Sequence, residues 1–243
     1  MIRKTTEFHT QNFVEAYPDG VEGHYWHRHR HYVIARALSR LDGGRMLEVG
    51  CGRGVVVRDL RARGFDCDGV ELAPVTPMPG AERFVQGGVE ATELLETRCA
   101  EYQVIGLFDV LEHLSEPYGF ITNLVRGFPD LKHLLFTVPA RMELCSNYDE
   151  HYGHFRRYTL ESLNDVFACC HLNPLEARYF FRSLYLPCRL LLLARRARAV
   201  RHRAPVGFLP LHGLIAWLLK LEFHLVPPRV PGTSIIASCA VQF

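Results

Sequence analysis

The sequence lacks several features that would assign it to a specialised class of protein. It has eight cysteines, but no two are separated by only two residues, and nothing resembles a zinc-binding spacing. No apolar run reaches the roughly 18 residues of a membrane-spanning helix, since Pro210 and His212 interrupt the nearest one. The N-terminal residues MIRKTTEFHTQNF lack the apolar core of a signal peptide. A cytoplasmic protein with reduced thiols is therefore expected.

The sequence also has no large excess of positive or negative charge. The net charge is +2 over 243 residues, which is too balanced for a dedicated nucleic-acid binder. Hydrophobic residues make up 48% of the chain, which provides a sizeable core and argues against disorder. These values predict one domain over residues 1–243 and no nucleic-acid partner.

The order of the predicted elements favours an α/β fold. Helical patterns at 55–64, 91–102, 116–128 and 160–170 alternate with apolar runs that are typical of buried strands. Because these runs are continuous rather than alternating, they predict a parallel sheet covered on both faces. The strand segments are RMLEVG, CDGVEL, RFVQGG, VIGLFDVL, HLLFTVPA, PLEARYFF and GTSIIASCAVQF.

Two segments fall outside this alternation. Residues 1–41 precede the first strand and end in a helical pattern, and residues 182–231 separate the last two strands as a predicted helical cap. The stretch 177–221 contains no acid but nine basic residues. Either the cap closes an acceptor pocket with its arginines solvated, or it contacts an anionic membrane or an amphiphilic acceptor. An apolar stripe at helical spacing lies within it: Leu211, Leu214, Ile215, Leu218 and Leu219.

A glycine turn follows the first strand, in the segment LEVGCGRG at 47–54. Because glycine has no side chain, a ligand can closely approach the backbone of this turn. The N-terminus of the next helix offers free N–H groups to an acidic group of the ligand. A dinucleotide-binding turn requires a small residue at position 55, where this chain has Val55. This argues against a nicotinamide-dependent reductase.

The turn resembles motif I, E/D-x-G-x-G-x-G, of class I S-adenosylmethionine (SAM) methyltransferases. Glu71, in GVELAP, stands where these enzymes place the acid that binds both ribose hydroxyls. The segments FVQGGVEA and LFDVLEHL are similar to those that contact adenine and the methionine part. The resemblance implies a Rossmann-like class I methyltransferase fold with a mostly parallel seven-stranded sheet, SAM as cofactor and S-adenosylhomocysteine (SAH) as product. The cofactor-binding residues that it implies are Trp26, Arg30, Glu48, Gly50, Cys51, Gly52, Gly54, Glu71, Leu72, Gly88, Val89, Phe108 and Asp109.

The histidine-rich stretch HYWHRHRH at 24–31 has several interpretations. His27 and His31 are one helical turn apart, but no carboxylate or cysteine joins them and arginines interleave, so no metal is expected. The stretch is similar to an E-x-HFW-x-x-R segment of small-molecule methyltransferases, which implies a lid with Arg30 on the SAM carboxylate and Trp26 near the sulfonium. The alternative is a basic helix with Trp26 docked on the core.

The segment YGHFRRYT at 152–159 is similar to the acceptor-facing loop of the same small-molecule group. Histidine accepts protons near neutral pH, so His113 and then His154 are the candidate general bases. The alternative is a loop whose polar groups satisfy one another. The implied substrate-binding residues are Tyr148, His151, Tyr152, Arg156, Arg157 and Tyr158.

Together these features predict a SAM-dependent methyltransferase, similar to the O-methyltransferases of the ubiquinone pathway. O-methylation of a small molecule is favoured, while N- or C-methylation and an amphiphilic or anionic acceptor remain alternatives. A methyltransferase-like subunit without catalysis is a further alternative, against which the intact turn and Glu71 argue. Peripheral contact with a membrane is a further expectation, and the oligomeric state is not predicted.

Overall fold

Seven strands form one sheet in this computed structural model, which describes residues 18, 20–94, 99–194, 197 and 209–242. The strand order is β3-β2-β1-β4-β5-β7-β6, and only β7 runs antiparallel to its neighbours. The predicted mostly parallel seven-stranded sheet is therefore confirmed. The strands are β1 Arg45–Val49, β2 Cys67–Glu71, β3 Val85–Gly87, β4 Tyr102–Phe108, β5 His133–Pro139, β6 Leu172–Phe180 and β7 Ser234–Val241.

Helices cover both faces of the sheet. Ile105 and Leu107 of β4 pack into one hydrophobic cluster with residues of α3 and α5, whereas Val104 and Phe108 pack into a second cluster with α1 and α2. Because both faces are covered, β4 is apolar on both sides of the sheet from Val104 to Phe108. The helices are α1 Tyr25–Leu38, α2 Val55–Ala62, α3 Pro117–Gly127, α4 Asn147–His151, α5 Leu160–Cys169, α6 Tyr185–Leu193 and α7 Leu209–Leu225.

The prediction of a helix over 91–102 is wrong for those of its residues that the structure describes. Residues 91–94 form a turn, 95–98 lie outside the described residues, and Cys99–Glu101 form a single 3₁₀ turn. Tyr102 already belongs to β4, where its ring is buried and its hydroxyl donates to Asp68 at 2.8 Å. Pairing within the sheet thus overrides the local helical pattern.

The apolar stripe in the segment before β7 is divided between the core and the surface. In α7, Leu211, Leu214 and Leu218 are 49–53% exposed, while Ala216, Leu219 and Phe223 are buried. The helix α7 packs against α1, and Ile215, Leu219 and Phe223 lie in the hydrophobic cluster that contains residues of α1. None of the described helices combines the length and apolar character that crossing a bilayer requires.

Candidate active site

The glycine turn joins β1 to α2 at the carboxyl edge of the sheet. Gly50 and Gly54 have φ angles of 76° and 82°, in the left-handed region that favours glycine. A Cβ on Gly54 would lie 2.5 Å from Val85 Cγ2, and one on Gly50 would lie 2.9 Å from Val110 Cγ2. These two glycines are therefore required both by the backbone conformation and by close packing against neighbouring segments.

Glu71 ends β2 and braces this turn. Its carboxylate accepts hydrogen bonds from the N–H groups of Gly52 and Ala73, each at 3.0 Å. Burial raises the pKa of Glu71, and these backbone hydrogen bonds oppose the rise. Each carboxylate oxygen has a second lone pair, so Glu71 retains capacity to accept from a vicinal diol. Leu72, which follows it, is half-buried.

Two other predicted cofactor residues of this region lie inside the protein. Glu48 is 3% exposed, and burial raises its pKa to about 8. The Cys51 thiol is buried so closely against β2 that a Cβ on Gly69 would lie 2.7 Å from its sulfur. These contacts indicate that Glu48 and Cys51 support the turn from within.

The segment after β3 offers fewer donors than predicted. The N–H of Val89 donates to the Glu71 carbonyl at 3.1 Å, so it is already engaged. Gly88 is exposed with a φ of 75°, and a Cβ there would meet nothing within 4 Å. Gly88 thus leaves open space next to β2, the strand that ends in Glu71.

Arg30 of α1 reaches the carboxyl ends of β4 and β5. Its Nη2 lies 2.7 Å from Asp109 Oδ2 and donates to Thr137 Oγ1 at 3.4 Å. The guanidinium carbon also lies 5.3 Å from the Trp26 ring centroid and 5.9 Å from the Phe108 ring centroid. Arg30, predicted to bind the cofactor carboxylate, is here paired with a protein carboxylate.

The histidine-rich stretch lies mostly in the core. His27, His29 and His31 are 0–2% exposed, and Trp26 stacks on Phe181 with ring centroids 5.7 Å apart. Burial lowers the pKa of His29 to about 3, and burial also lowers that of His31 although Asp59 opposes it. In the part of the chain that is described, no cluster of three potential metal ligands includes His27 or His31.

The two candidate bases lie side by side. His113 belongs to the 3₁₀ turn Leu111–His113 after β4, and His154 follows α4. Their ring centroids are 4.7 Å apart, and His154 Nδ1 lies 2.9 Å from Asp149 Oδ1. Burial, followed by repulsion from His154, lowers the pKa of His113 to about 4, so His113 is neutral at physiological pH.

Most of the other predicted acceptor residues are engaged with the protein. Arg157 makes two hydrogen bonds to Asp149, at 2.7 and 3.1 Å, and the Tyr158 hydroxyl donates to the Leu111 carbonyl. Arg156 donates to the Ser115 carbonyl at 2.8 Å. Arg157 and Tyr158 therefore hold the loop in place rather than facing open solvent.

The remaining aromatic residues of this loop surround the histidine pair. The Tyr148 ring lies 4.7 Å from that of Tyr152 and 6.2 Å from that of His154. His151 is exposed, so it faces solvent rather than the interior. Of the predicted acceptor residues, Tyr148 is thus the one that the structure brings to His154.

The sequence analysis missed two acids at this site, Glu112 and Asp149. Glu112 is 1% exposed and directly precedes His113 in the motif LEHL, which was the available signal. Asp149 orients His154, and its only signal was its position in a capping box with Ser146. Burial favours a raised pKa for Asp149, but hydrogen bonds from His154 and Arg157 outweigh it and keep the pKa below its usual range.

The Arg30–Asp109 pair yields a stability prediction. Arg30→Ala should lower the free energy of unfolding by about 3 kcal/mol, because it leaves Asp109 without its cation near a low-dielectric interior. Arg40 pairs with Glu176 at 3.0 Å on the surface, and Arg40→Ala should cost less than about 1 kcal/mol. Urea denaturation measures both changes. Equal effects in the two variants would contradict a structural role for the buried pair.

Comparisons with known proteins agree with this fold. Residues 25–175 match a family model described as a methyltransferase domain. The ubiquinone biosynthesis O-methyltransferase of Bordetella avium is 30% identical over 95 residues, which are 36% of this chain and 39% of the relative, so the match spans about two-fifths of that relative.

Two solved structures share the fold. A SAM-dependent methyltransferase from Archaeoglobus fulgidus has a TM-score of 0.51 at 14% identity, with 87% of this chain and 93% of that chain covered. Phosphoethanolamine N-methyltransferase 2 of Haemonchus contortus, in complex with S-adenosyl-L-methionine, has a TM-score of 0.55 at 13% identity, with 97% and 60% covered. On the strength of the family model, which covers more than half of its length, the chain belongs to this family of methyltransferases.

Proposed function

We propose that this methyltransferase transfers the methyl group of SAM to an oxygen of a small-molecule acceptor. One observation carries the proposal: the glycine turn, Glu71 and the histidine pair all lie where β1, β2 and β4 end. The carboxyl ends of parallel strands form one edge of a sheet, where ligands bind in such folds. A cofactor site and an acceptor site are thereby brought next to each other.

The residues present fit the cofactor. The Gly50–Gly54 turn exposes backbone, and Glu71 retains lone pairs for the ribose hydroxyls. Arg30 would hold the amino-acid carboxylate by sharing its guanidinium between that group and Asp109. The cofactor supplies an electrophilic methyl carbon on sulfur, and the protein supplies alignment and removal of a proton.

His154 is the better base of the two histidines, which reverses the order predicted from the sequence. With a pKa of about 4, His113 has little tendency to hold a proton at neutral pH. Asp149 orients His154 through Nδ1 and leaves Nε2 to accept the acceptor's proton. The acceptor oxygen then forms its bond to the methyl carbon as the carbon–sulfur bond breaks.

The relatives favour oxygen over nitrogen as the acceptor atom. The relative from Bordetella avium is named as an O-methyltransferase, and it is more similar in sequence than the N-methyltransferase from Haemonchus contortus. The aromatic rings of Tyr148 and Tyr152 beside His154 suit a planar acceptor. We therefore propose a phenolic or otherwise acidic hydroxyl as the group that receives the methyl.

The cofactor assignment has a direct binding test. SAM and SAH should raise the melting temperature of the protein, and NADH should not, because Val55 occupies the position of the small residue. Glu71→Gln should weaken SAH binding by about 1.5–3 kcal/mol, since it removes a charge-assisted acceptor. Glu161→Gln, at an exposed site on α5, is the matched control. Unchanged SAH affinity in Glu71→Gln by calorimetry would refute the assignment.

The base is tested by turnover, with the acceptor identified by mass spectrometry of extracts incubated with labelled SAM. His154→Ala should lower kcat by a factor of ~10²–10⁴, the usual contribution of a general base. SAH affinity should survive, because His154 lies on the acceptor side. The control is His171→Asn, which changes an exposed histidine between α5 and β6. Near-normal turnover in His154→Ala would show that the acceptor loses its proton elsewhere.

We also propose that the protein binds peripherally to an anionic membrane. Ten leucines of α6 and α7 are exposed, and the sequence from 177 to 221 carries nine basic residues without an acid. Such a combination favours binding to acidic headgroups, at ~1 kcal/mol for each basic residue near the surface. Five of these arginines lie outside the described residues. The exposed leucines are Leu186, Leu190, Leu191, Leu193, Leu209, Leu211, Leu214, Leu218, Leu221 and Leu225.

Liposome flotation tests this contact. The protein should float with vesicles that contain an anionic phospholipid at low salt, and less at high salt or with neutral vesicles. Leu214→Glu with Leu218→Glu should abolish flotation, because two charges would enter the apolar face. Leu175→Glu, on the equally exposed β6 position, should have no effect. If the Leu214→Glu/Leu218→Glu double variant floats as well as the Leu175→Glu control, α7 is excluded as the membrane contact.

A further inference from the structure

Arg182, the second residue after β6, carries a buried positive charge. The side chain is 7% exposed, and its Nε donates to the Val230 carbonyl at 3.2 Å. Nη1 and Nη2 are buried as well, and neither donates to another described residue. Burial of an ionised group is costly unless hydrogen bonds and an opposite charge compensate for it. The guanidinium therefore requires an acceptor that the described part of the chain does not provide.

The acid beside Arg182 is already engaged with the backbone. One carboxylate oxygen of Glu222, in α7, accepts from the Arg182 N–H and the other accepts from the Ser183 N–H, each at 2.7 Å. Burial and then repulsion from Arg178 lower the pKa of Arg182, and attraction to Glu222 opposes this change. An arginine stays protonated at physiological pH in spite of such a shift, so its charge remains to be compensated.

Other cationic and donor groups face the same region. Arg178 of β6 is 9% exposed, and its Nε is buried and donates to no described residue. Burial, followed by repulsion from Lys220 and Arg182, lowers the pKa of His29 to about 3. Neither ring nitrogen of His29 is hydrogen-bonded to a described residue, although a neutral imidazole carries one N–H. Positive charge and unused N–H donors are therefore concentrated where α1, β6 and α7 meet.

The guanidinium of Arg182 lies just beneath the surface. The next residue, Ser183, is exposed, and Val230 is 40% exposed. The loop that carries Val230 is held by the Tyr179 N–H, which donates to the Pro228 carbonyl at 3.1 Å. Movement of the exposed loop beyond Pro228 would open Arg182 to a ligand while this hydrogen bond stays in place.

This region lies at the same edge of the sheet as the candidate active site but apart from it. Both β5 and β6 run antiparallel to β7, so β6 is parallel to β5 and ends at the carboxyl edge. In the strand order, β6 lies three positions from β4, which is roughly 14 Å at the usual strand spacing. A ligand on Arg182 would thus occupy a different place from the proposed cofactor and from an acceptor hydroxyl at His154.

We propose that Arg182 forms the centre of a binding site for a phosphate group, with Arg178 and Lys220 adding positive charge and His29 an N–H donor. The two Nη atoms of a guanidinium form a fork that matches two oxygens of a carboxylate or a phosphate. Phosphate is favoured here, because it carries more negative charge and a further acceptor oxygen. The inference goes beyond the proposed methyl transfer and does not rest on it, since neither SAM nor the acceptor hydroxyl takes part.

The test is a calorimetric titration of the full chain with inorganic phosphate, with sodium chloride at the same ionic strength as the reference. We expect one saturable site in the wild type. Arg182→Met keeps the length of the side chain without its charge, and it should weaken phosphate binding at least tenfold because the fork is lost. The control is Arg83→Met, which changes an exposed arginine just before β3, at the opposite end of the sheet. The absence of a saturable site in the wild type, or equal phosphate affinity in the two variants, would overturn the inference.

Melting temperatures separate binding from folding. Phosphate should raise the melting temperature of the wild type and of Arg83→Met but not that of Arg182→Met, whose value in phosphate-free buffer reports whether it folds. Arg182→Lys keeps a positive charge but lacks the fork, and it should also bind phosphate at least tenfold more weakly than the wild type. Equal stabilisation of all these proteins by phosphate would indicate general screening of charge and contradict the site.

Vesicle flotation identifies the source of the phosphate, because a phospholipid headgroup and a soluble phosphate share the same chemistry. With vesicles of phosphatidylcholine and phosphatidic acid, a headgroup site predicts that Arg182→Met floats less than Arg83→Met and that inorganic phosphate competes. Equal flotation of the two variants, together with a saturable phosphate site, assigns a soluble phosphate instead. SAH calorimetry on the same samples should give the wild-type affinity in every variant, and loss of SAH binding in the wild type would refute the proposed function alone.

Discussion

The ion pair between Arg30 and Asp109 is the contact on which both halves of the candidate site depend. Arg30 comes from the helix that precedes the sheet, and Asp109 is the first residue after β4. Asp109 has a φ of 60°, and its N–H and side chain are both hydrogen-bonded to Thr137 of β5. A conformation this unusual for a non-glycine residue persists only where its surroundings hold it.

The direction of the chain after β4 follows from this constraint. Immediately beyond Asp109 the chain enters the 3₁₀ turn Leu111–His113, which places Glu112 and His113 opposite the loop with His154. On the other side, Arg30 lies 5.3 Å from the Trp26 ring centroid, and α1 packs in the cluster that contains Cys51 and Val55 of the glycine turn region. One buried pair thus sets the distance between the region assigned to the cofactor and the region assigned to the acceptor.

The carboxyl edge is also unusually rich in buried acids. Burial raises the pKa values of Glu48, Glu71 and Glu112, and repulsion from neighbouring acids adds to the rise for Glu48 and Glu112. A cation near these acids would favour their ionised form, because an opposite charge lowers the pKa of a carboxyl group. The sulfonium of SAM is such a cation, so the buried acids suit the proposed cofactor.

Local patterns predicted some features of this protein well and others poorly, for physical reasons. The glycine turn and Glu71 were predictable because a strand, a turn and a helix within a few residues specify each other. The partners of Arg30 and the burial of His27, His29 and His31 were not, since they depend on segments distant in sequence. Periodicity revealed the apolar stripe of α7 but not which of its leucines the rest of the protein would cover.

The buried histidines of α1 have a consequence for the tolerance of the protein to acid. His29 has a pKa of about 3 in the folded chain, while in the unfolded chain it titrates near its ordinary value of 6.5. Between these values the unfolded chain takes up a proton that the folded chain excludes. Each unit of acidification in this window therefore removes up to about 1.4 kcal/mol of stability for such a histidine. The sequence of α1 resembles a basic patch, but its buried histidines make the stability of the fold depend on a near-neutral pH.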